Sequence, residues 1–80
     1  MQRFSKQIAV GDETRLFEFT RMENYSGVKF FITSVDKDKK PFSFSVTRRD
    51  SNKWKLLPGA LRWLYDIEEE ISNAIIATQP

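Results

Sequence analysis

The chain has 80 residues, including seven Phe, two Trp and two Tyr, and a formal net charge of +2. Because it contains neither cysteine nor histidine, a disulfide framework and thiolate or imidazole metal sites are excluded, and the usual acid–base toolkit of an enzyme is missing. No stretch approaches the roughly 20 apolar residues of a membrane span, and residues 1–6 lack the apolar region of a signal peptide.

Four segments of the chain have the alternating pattern of β-strands. Arg3 to Val10 alternates in part and ends at the turn sequence Gly11-Asp12-Glu13. The clearest alternation follows, over residues 14–23, and a break over residues 24–27 separates it from the strand predicted over 28–34. A charged loop over residues 36–41 precedes a strand predicted over 42–48. Five phenylalanines share the inward parity of these strands and are predicted core residues: Phe17, Phe19, Phe30, Phe42 and Phe44.

The last third of the chain predicts a helix. Residues 53–57 fit either a short fifth strand or an irregular return, and Pro58 suits the first turn of a helix. Apolar residues then recur at helical spacing: Ala60, Leu64, Ile67, Ile71, Ala74 and Ile75. The expected fold is therefore a single α+β domain over residues 1–80, with a four- to five-stranded antiparallel sheet followed by one C-terminal helix packed on one sheet face.

A domain of this size buries only roughly 60% of the surface that its unfolded chain exposes, so its own core gives marginal stability. Disulfides are excluded by composition, which leaves association as the available source of further stability. We therefore expect a homodimer. The absence of cysteine fits a reducing compartment, and we expect a cytoplasmic protein with no cofactor, no bound metal, no membrane partner and no small-molecule substrate.

Charge is distributed unevenly between the sheet and the helix. Residues 24–57 carry eight Lys or Arg and three Asp, whereas residues 58–80 carry one Arg and four acidic residues. A basic sheet beside an acidic helix is typical of a sheet that meets a polyanion. The outward parity of the third and fourth strands combines Lys29, Phe31 and Thr33 with three hydroxyl residues and Arg49. Cations, hydroxyls and one aromatic ring are the ingredients of single-stranded nucleic-acid binding.

The element order and several segments resemble a known family. Phe4-Ser5-Lys6 before a Gly-Asp turn, the strand residues 16–20, the strand residues 29–33, and residues 55–58 running into the helix are similar to the small single-repeat PUR-like proteins of bacteria. That family is related to Whirly-type single-stranded-DNA-binding folds. The resemblance implies a ββββα unit that binds single-stranded DNA or RNA along its sheet and hairpins.

The same resemblance implies the site residues. Lys29, Phe31, Thr47 and Arg49 lie where family members present binding residues, and the Lys and Arg residues of the hairpins add five more. The predicted nucleic-acid-binding residues are Lys29, Phe31, Thr47, Arg48, Arg49, Lys53, Lys55, Lys39 and Lys40. Because paired units of the family intertwine their helices, the predicted dimer interface comprises Trp63, Leu64, Ile67 and Ile71. Strand four, within residues 42–57, matches the family pattern least.

Three other functions compete with nucleic-acid binding. An interaction module of the same fold would use Phe31 and the tryptophans for protein contacts. A pleckstrin-homology-like domain at a membrane surface needs about seven strands by resemblance, and this chain has room for five. An enzyme is the weakest alternative, because the chain has no phosphate-binding glycine loop and no nucleophile motif. Its acidic residues 66–70 spread around the helix instead of converging.

Overall fold

The computed structural model describes residues 3–25, 27–48 and 53–78. Five strands follow one another in chain order across one antiparallel sheet. They are β1 (Arg3–Val10), β2 (Glu13–Asn24), β3 (Gly27–Val35), β4 (Pro41–Arg48) and β5 (Trp54–Leu56). A 3₁₀ helix (Arg62–Ile67) leads directly into α1 (Glu68–Thr78). The expected α+β order, with a sheet followed by one C-terminal helix, is confirmed, and residues 54–56 form the fifth strand.

The turn between β1 and β2 sets the register of the first hairpin. Val10 lies opposite Glu13, so Gly11 and Asp12 alone form the loop. Gly11 has a φ of 62°, which a glycine adopts without steric penalty and which the first central position of a type II′ turn requires. The pairing then continues without a bulge from this turn to Arg3 opposite Thr20.

The strand periodicity places the core on one face of the sheet. Phe17, Phe19 and Phe30 are fully buried, Phe44 is buried, and Phe42 packs half-buried against them. The prediction that these five phenylalanines belong to the core is confirmed. The rings form two aromatic groups, one around Phe30 and one around Phe42. In the first, Phe30 meets the Trp54 ring edge-on at 5.0 Å between centroids, and in the second, Phe42 meets the Trp63 ring edge-on at 5.5 Å.

The helix is held against both edges of the sheet. Leu64 of the 3₁₀ helix and Ile71 and Ile75 of α1 face the sheet, and all three are fully buried. One flank of α1 contacts β5, and the other approaches β1. The helix therefore closes the inner side of the sheet and leaves the opposite face uncovered.

The prediction that Pro58 starts the helix is wrong. Pro58 and Gly59 form a turn, and the φ of Gly59 is 95°. Leu61 is still extended, with φ −58° and ψ 140°. The first helical residues then form a 3₁₀ helix, whose three-residue turn suits the spacing of the buried Leu64 and Ile67. The same apolar spacing is compatible with an α-helix, so the pattern alone could not locate the start.

Candidate nucleic-acid interface

The surface opposite the helix, called the open face below, is built by strand residues of outward parity. Cross-strand partners share a face of a sheet, so the pairing identifies the members of this surface. Its members include Arg3, Ser5, Leu16, Glu18, Thr20, Met22, Lys29, Phe31, Thr33, Val35, Ser43, Ser45, Thr47 and Lys55.

Phe31 lies at the centre of the open face. Its partner on β2 is Thr20, and its partner on β4 is Ser45. Arg3 extends this row at β1, where its Nε donates to Thr20 Oγ1 at 3.3 Å. Phe31 is half-buried among these neighbours, so one side of the ring is supported while part of it stays accessible. The structure thus places Phe31 on the face opposite the aromatic core, as its parity indicated.

Lys29, Thr47 and Lys55 form a second row across β3, β4 and β5. Lys29 is paired with Thr47, and Thr47 is paired with Lys55. The Lys55 Nζ atom also lies 3.6 Å from Glu68 Oε1, and the Glu68 side chain is 20% exposed. Lys55 therefore shares the row with Lys29 but already has a carboxylate partner, whereas Lys29 forms no ion pair with another residue of the described ranges.

The β3–β4 connection presents Lys39 and Lys40 at the opposite end of the same strands. Its shape depends on the Asp36 carboxylate, which accepts the Lys40 N–H at 2.9 Å and the Asp38 N–H at 2.8 Å. The hydrogen bond from Lys40, followed by that from Asp38 and the nearby positive charges, holds the pKa of Asp36 below its ordinary 3.8. Lys39 and Lys40 are both exposed.

The remaining predicted binding residues are not all on the open face. Arg48 is opposite Trp54 in the β4–β5 ladder, so it lies on the same face of the sheet as the core. It is exposed because it stands at the end of β4. This differs from the open-face position of its neighbour Thr47. Lys53 is exposed just before β5. Arg49 lies outside the residues that the structure describes.

The four residues predicted to form the dimer interface are already packed inside the single chain. Leu64 and Ile71 are fully buried and Ile67 is 7% exposed. Trp63 is half-buried, with its ring 5.5 Å from the Phe42 ring and beneath the Arg15 guanidinium. These four side chains pack against the chain's own sheet. An interface through them would require two chains to exchange their helices.

The predicted site contains only four of the open-face residues named above, and three of those that it lacks are polar or charged neighbours on β1 and β2. Thr20 is paired with Phe31, Arg3 is paired with Thr20 on the strand beyond it, and Glu18 lies opposite Thr33. Their parity was readable from the sequence, but their position beside Phe31 depends on the register of separate hairpins. Glu18 places a negative charge on this face, which disfavours phosphate there and leaves an acceptor for the amino groups of bases.

Comparison with known proteins finds no family model, no curated protein and no solved structure that matches the chain. Within residues 3–25, 27–48 and 53–78, no helix has the length and apolar character needed to cross a membrane. Over the same ranges, no group of three or more acidic residues is placed to hold a metal ion.

Proposed function

We propose that this protein binds single-stranded DNA or RNA on its open face, as a homodimer, and that it is a binding protein instead of an enzyme. The observation that carries the proposal is the position of Phe31, half-buried between Thr20 and Ser45 on the sheet face that the helix leaves uncovered. The cysteine-free composition fits a protein that works in the cytoplasm.

The open face supplies the separate contacts that a single strand needs. Phe31 offers a ring on which an unpaired base stacks, an interaction of about 1–3 kcal/mol that tolerates any base. Lys29 supplies a cation for the adjacent phosphate. The hydroxyls of Thr20, Ser45 and Thr47 add donors and acceptors around the ring. In a duplex the base faces are already stacked, so Phe31 favours the single strand.

The test is a fluorescence-anisotropy titration of labelled single-stranded DNA and RNA at several salt concentrations, with a duplex as the competing ligand. We expect Phe31→Ala to weaken single-strand binding by about 1–3 kcal/mol. We expect Lys29→Ala to weaken binding across sequences and to reduce the salt slope by about 0.7, the value for one phosphate contact on a single strand.

Two variants serve as matched controls. Phe31→Leu keeps an apolar side chain but removes the ring, so it should bind as weakly as Phe31→Ala. Arg62→Ala removes one exposed positive charge from the 3₁₀ helix, away from the open face, and should leave the affinity unchanged. Thermal unfolding must show that the Phe31 variants still fold. If the wild-type protein does not bind single-stranded DNA or RNA even at low salt, the proposal is wrong.

A protein-interaction surface is the second candidate. Leu16, Val35 and Met22 lie on the open face and are 49%, 43% and 42% exposed. Exposed apolar side chains on one surface are typical of protein contacts. Substituting Leu16 with Ser separates the two functions: nucleic-acid binding should tolerate the change, whereas a protein interface that includes Leu16 should lose affinity.

A further inference from the structure

The two edge strands of the sheet, β5 and β1, differ in the hydrogen bonding of their outward backbone groups. At β5, the Trp54 N–H donates to Ser72 Oγ at 3.0 Å and the Leu56 N–H donates to the Glu68 carboxylate at 2.9 Å. Helix side chains therefore satisfy the outward amides of this edge. β1 is the other edge, and it pairs with β2 alone over all eight of its residues. An unpaired edge of this length is a template for a further strand.

The hairpin register identifies which β1 amides are unpaired. Antiparallel partners alternate between pairs that exchange hydrogen bonds and pairs that do not. Counting from the two-residue turn, where Val10 and Glu13 close the hairpin, the non-exchanging positions of β1 include Ser5, Gln7 and Ala9. Their N–H and C=O groups point away from β2. All three residues are exposed.

The space beside this edge is shaped for a strand. A groove of about 370 Å³ runs between β1 and α1. The helix contributes small side chains, Ala74 and Ala77, which leave room next to Ile8. Lys6 and Glu70 line the same groove with opposite charges. Lys6 has the parity of the core face but is exposed, so the helix does not cover it.

We propose that two copies of the chain pair through β1, antiparallel about a two-fold axis at Gln7. Ser5 then lies opposite the partner's Ala9, and Gln7 lies opposite the partner's Gln7. Each of these pairs joins positions whose backbone groups point outward, so each can exchange two hydrogen bonds. Lys6 lies opposite the partner's Ile8, and both helices remain on the same side of the extended sheet.

Lys6 selects this register. An inward lysine on an edge strand ordinarily discourages pairing. A two-fold axis at Lys6 would place two lysines directly opposite each other, which is unfavourable. The axis at Gln7 separates the two lysines, and each Lys6 remains beside a groove that also contains the carboxylate of Glu70. Because the β5 edge is capped, pairing stops at two chains and closes as a dimer.

The inference rests on the proposed homodimer but not on nucleic-acid binding, so its test uses protein alone. Sedimentation equilibrium should give a dimer for the wild type. Gln7→Pro removes one outward N–H from an edge position, where proline is tolerated, and should give a monomer. Gln7→Thr keeps the N–H and should remain dimeric. Circular dichroism checks that each variant folds.

If the proline variant fails to fold, exchanging the charges of Lys6 and Glu70 provides a second test of the interface. Lys6→Glu and Glu70→Lys should each raise the dimer dissociation constant by on the order of tenfold, and the double exchange should restore it. Glu69→Lys, at an exposed neighbour outside the groove, should have no effect. A monomeric wild type overturns both the homodimer and this geometry. A dimer unaffected by the β1 variants overturns the geometry alone.

Discussion

At the scale of single residues, Asp36 determines the form of the β3–β4 connection. Its backbone N–H donates to the Lys40 carbonyl at 2.9 Å, while its carboxylate accepts the N–H groups of Asp38 and Lys40. Lys39 has a left-handed φ of 64°, an uncommon conformation for a lysine. The carboxylate therefore compensates for an unfavourable backbone conformation and sets the positions of two cations of the proposed site.

The lowered pKa of Asp36 predicts how stability depends on pH. Because the folded pKa lies below the unfolded value of 3.8, the ionised carboxylate stabilises the folded state above that value, and the stabilisation disappears as the pH falls through the folded pKa. Asp36→Asn should melt at a lower temperature than the wild type at neutral pH. The difference should diminish in melting curves recorded at successively lower pH below 3.8.

Asp38→Asn is the control for this comparison, since it removes the same charge from the same connection and leaves both hydrogen bonds to Asp36 in place. Its melting temperature should not reproduce the pH-dependent difference of Asp36→Asn. If both variants follow the same pH curve, loop charge and not the Asp36 hydrogen bonds accounts for the effect.

At the scale of elements, one helix side chain ties α1 to β5. Ser72 is 5% exposed, and its hydroxyl accepts the backbone N–H of the buried Trp54. β5 has only three residues, so few ladder hydrogen bonds hold it in the sheet. Losing the hydroxyl leaves a buried donor without a partner, which costs the desolvation of that group.

Ser72→Ala is therefore expected to lower the free energy of unfolding by about 1–3 kcal/mol. Urea unfolding followed by tryptophan fluorescence measures the change, since Trp54 lies at the contact. Asn73→Ala, at the exposed next residue, measures the gain in helix propensity that alanine brings by itself. Equal stability of the two variants would show that the hydrogen bond to Trp54 contributes nothing.

The same contacts explain which parts of the molecule the sequence could predict. Alternation placed Phe17 and Phe30 in the core and Phe31 on the open face, because side-chain parity within a strand is a local property. The ion pair of Lys55 with Glu68 and the crowding of Trp63 against Phe42 join segments distant in sequence. Parity carries no information about such contacts, so the sequence could not show that Lys55 has a carboxylate partner or that Trp63 packs against the chain's own sheet.

At the scale of the whole molecule, the cations of the proposed site form two groups instead of one patch. Lys29 lies at one end of the β3–β4 hairpin, opposite Thr47, and Lys39 and Lys40 lie beyond the other end, where Val35 is paired with Pro41. The two paired positions are separated by about 20 Å, taking roughly 3.3 Å for each residue of a strand. Phe31 and the hydroxyls occupy the surface between them.

This separation predicts how binding depends on the length of the nucleic acid. A stacked single strand advances about 3.4 Å per nucleotide, so about six nucleotides reach from one cation group to the other. The affinity should rise with oligonucleotide length up to roughly that number and then level off. The double variant Lys39→Ala/Lys40→Ala should weaken binding of strands of about eight nucleotides and leave strands of about three unaffected.

Lys29→Ala is the matched comparison, because a short strand stacked on Phe31 already reaches Lys29. Its loss of affinity should be similar for short and long strands in the same anisotropy titrations. If Lys39→Ala/Lys40→Ala weakens the short strands as much as the long ones, the cations act through the general field of the protein. If it weakens neither, the strand does not run along the β3–β4 hairpin, and the path across the open face must follow the row from Arg3 to Ser45 instead.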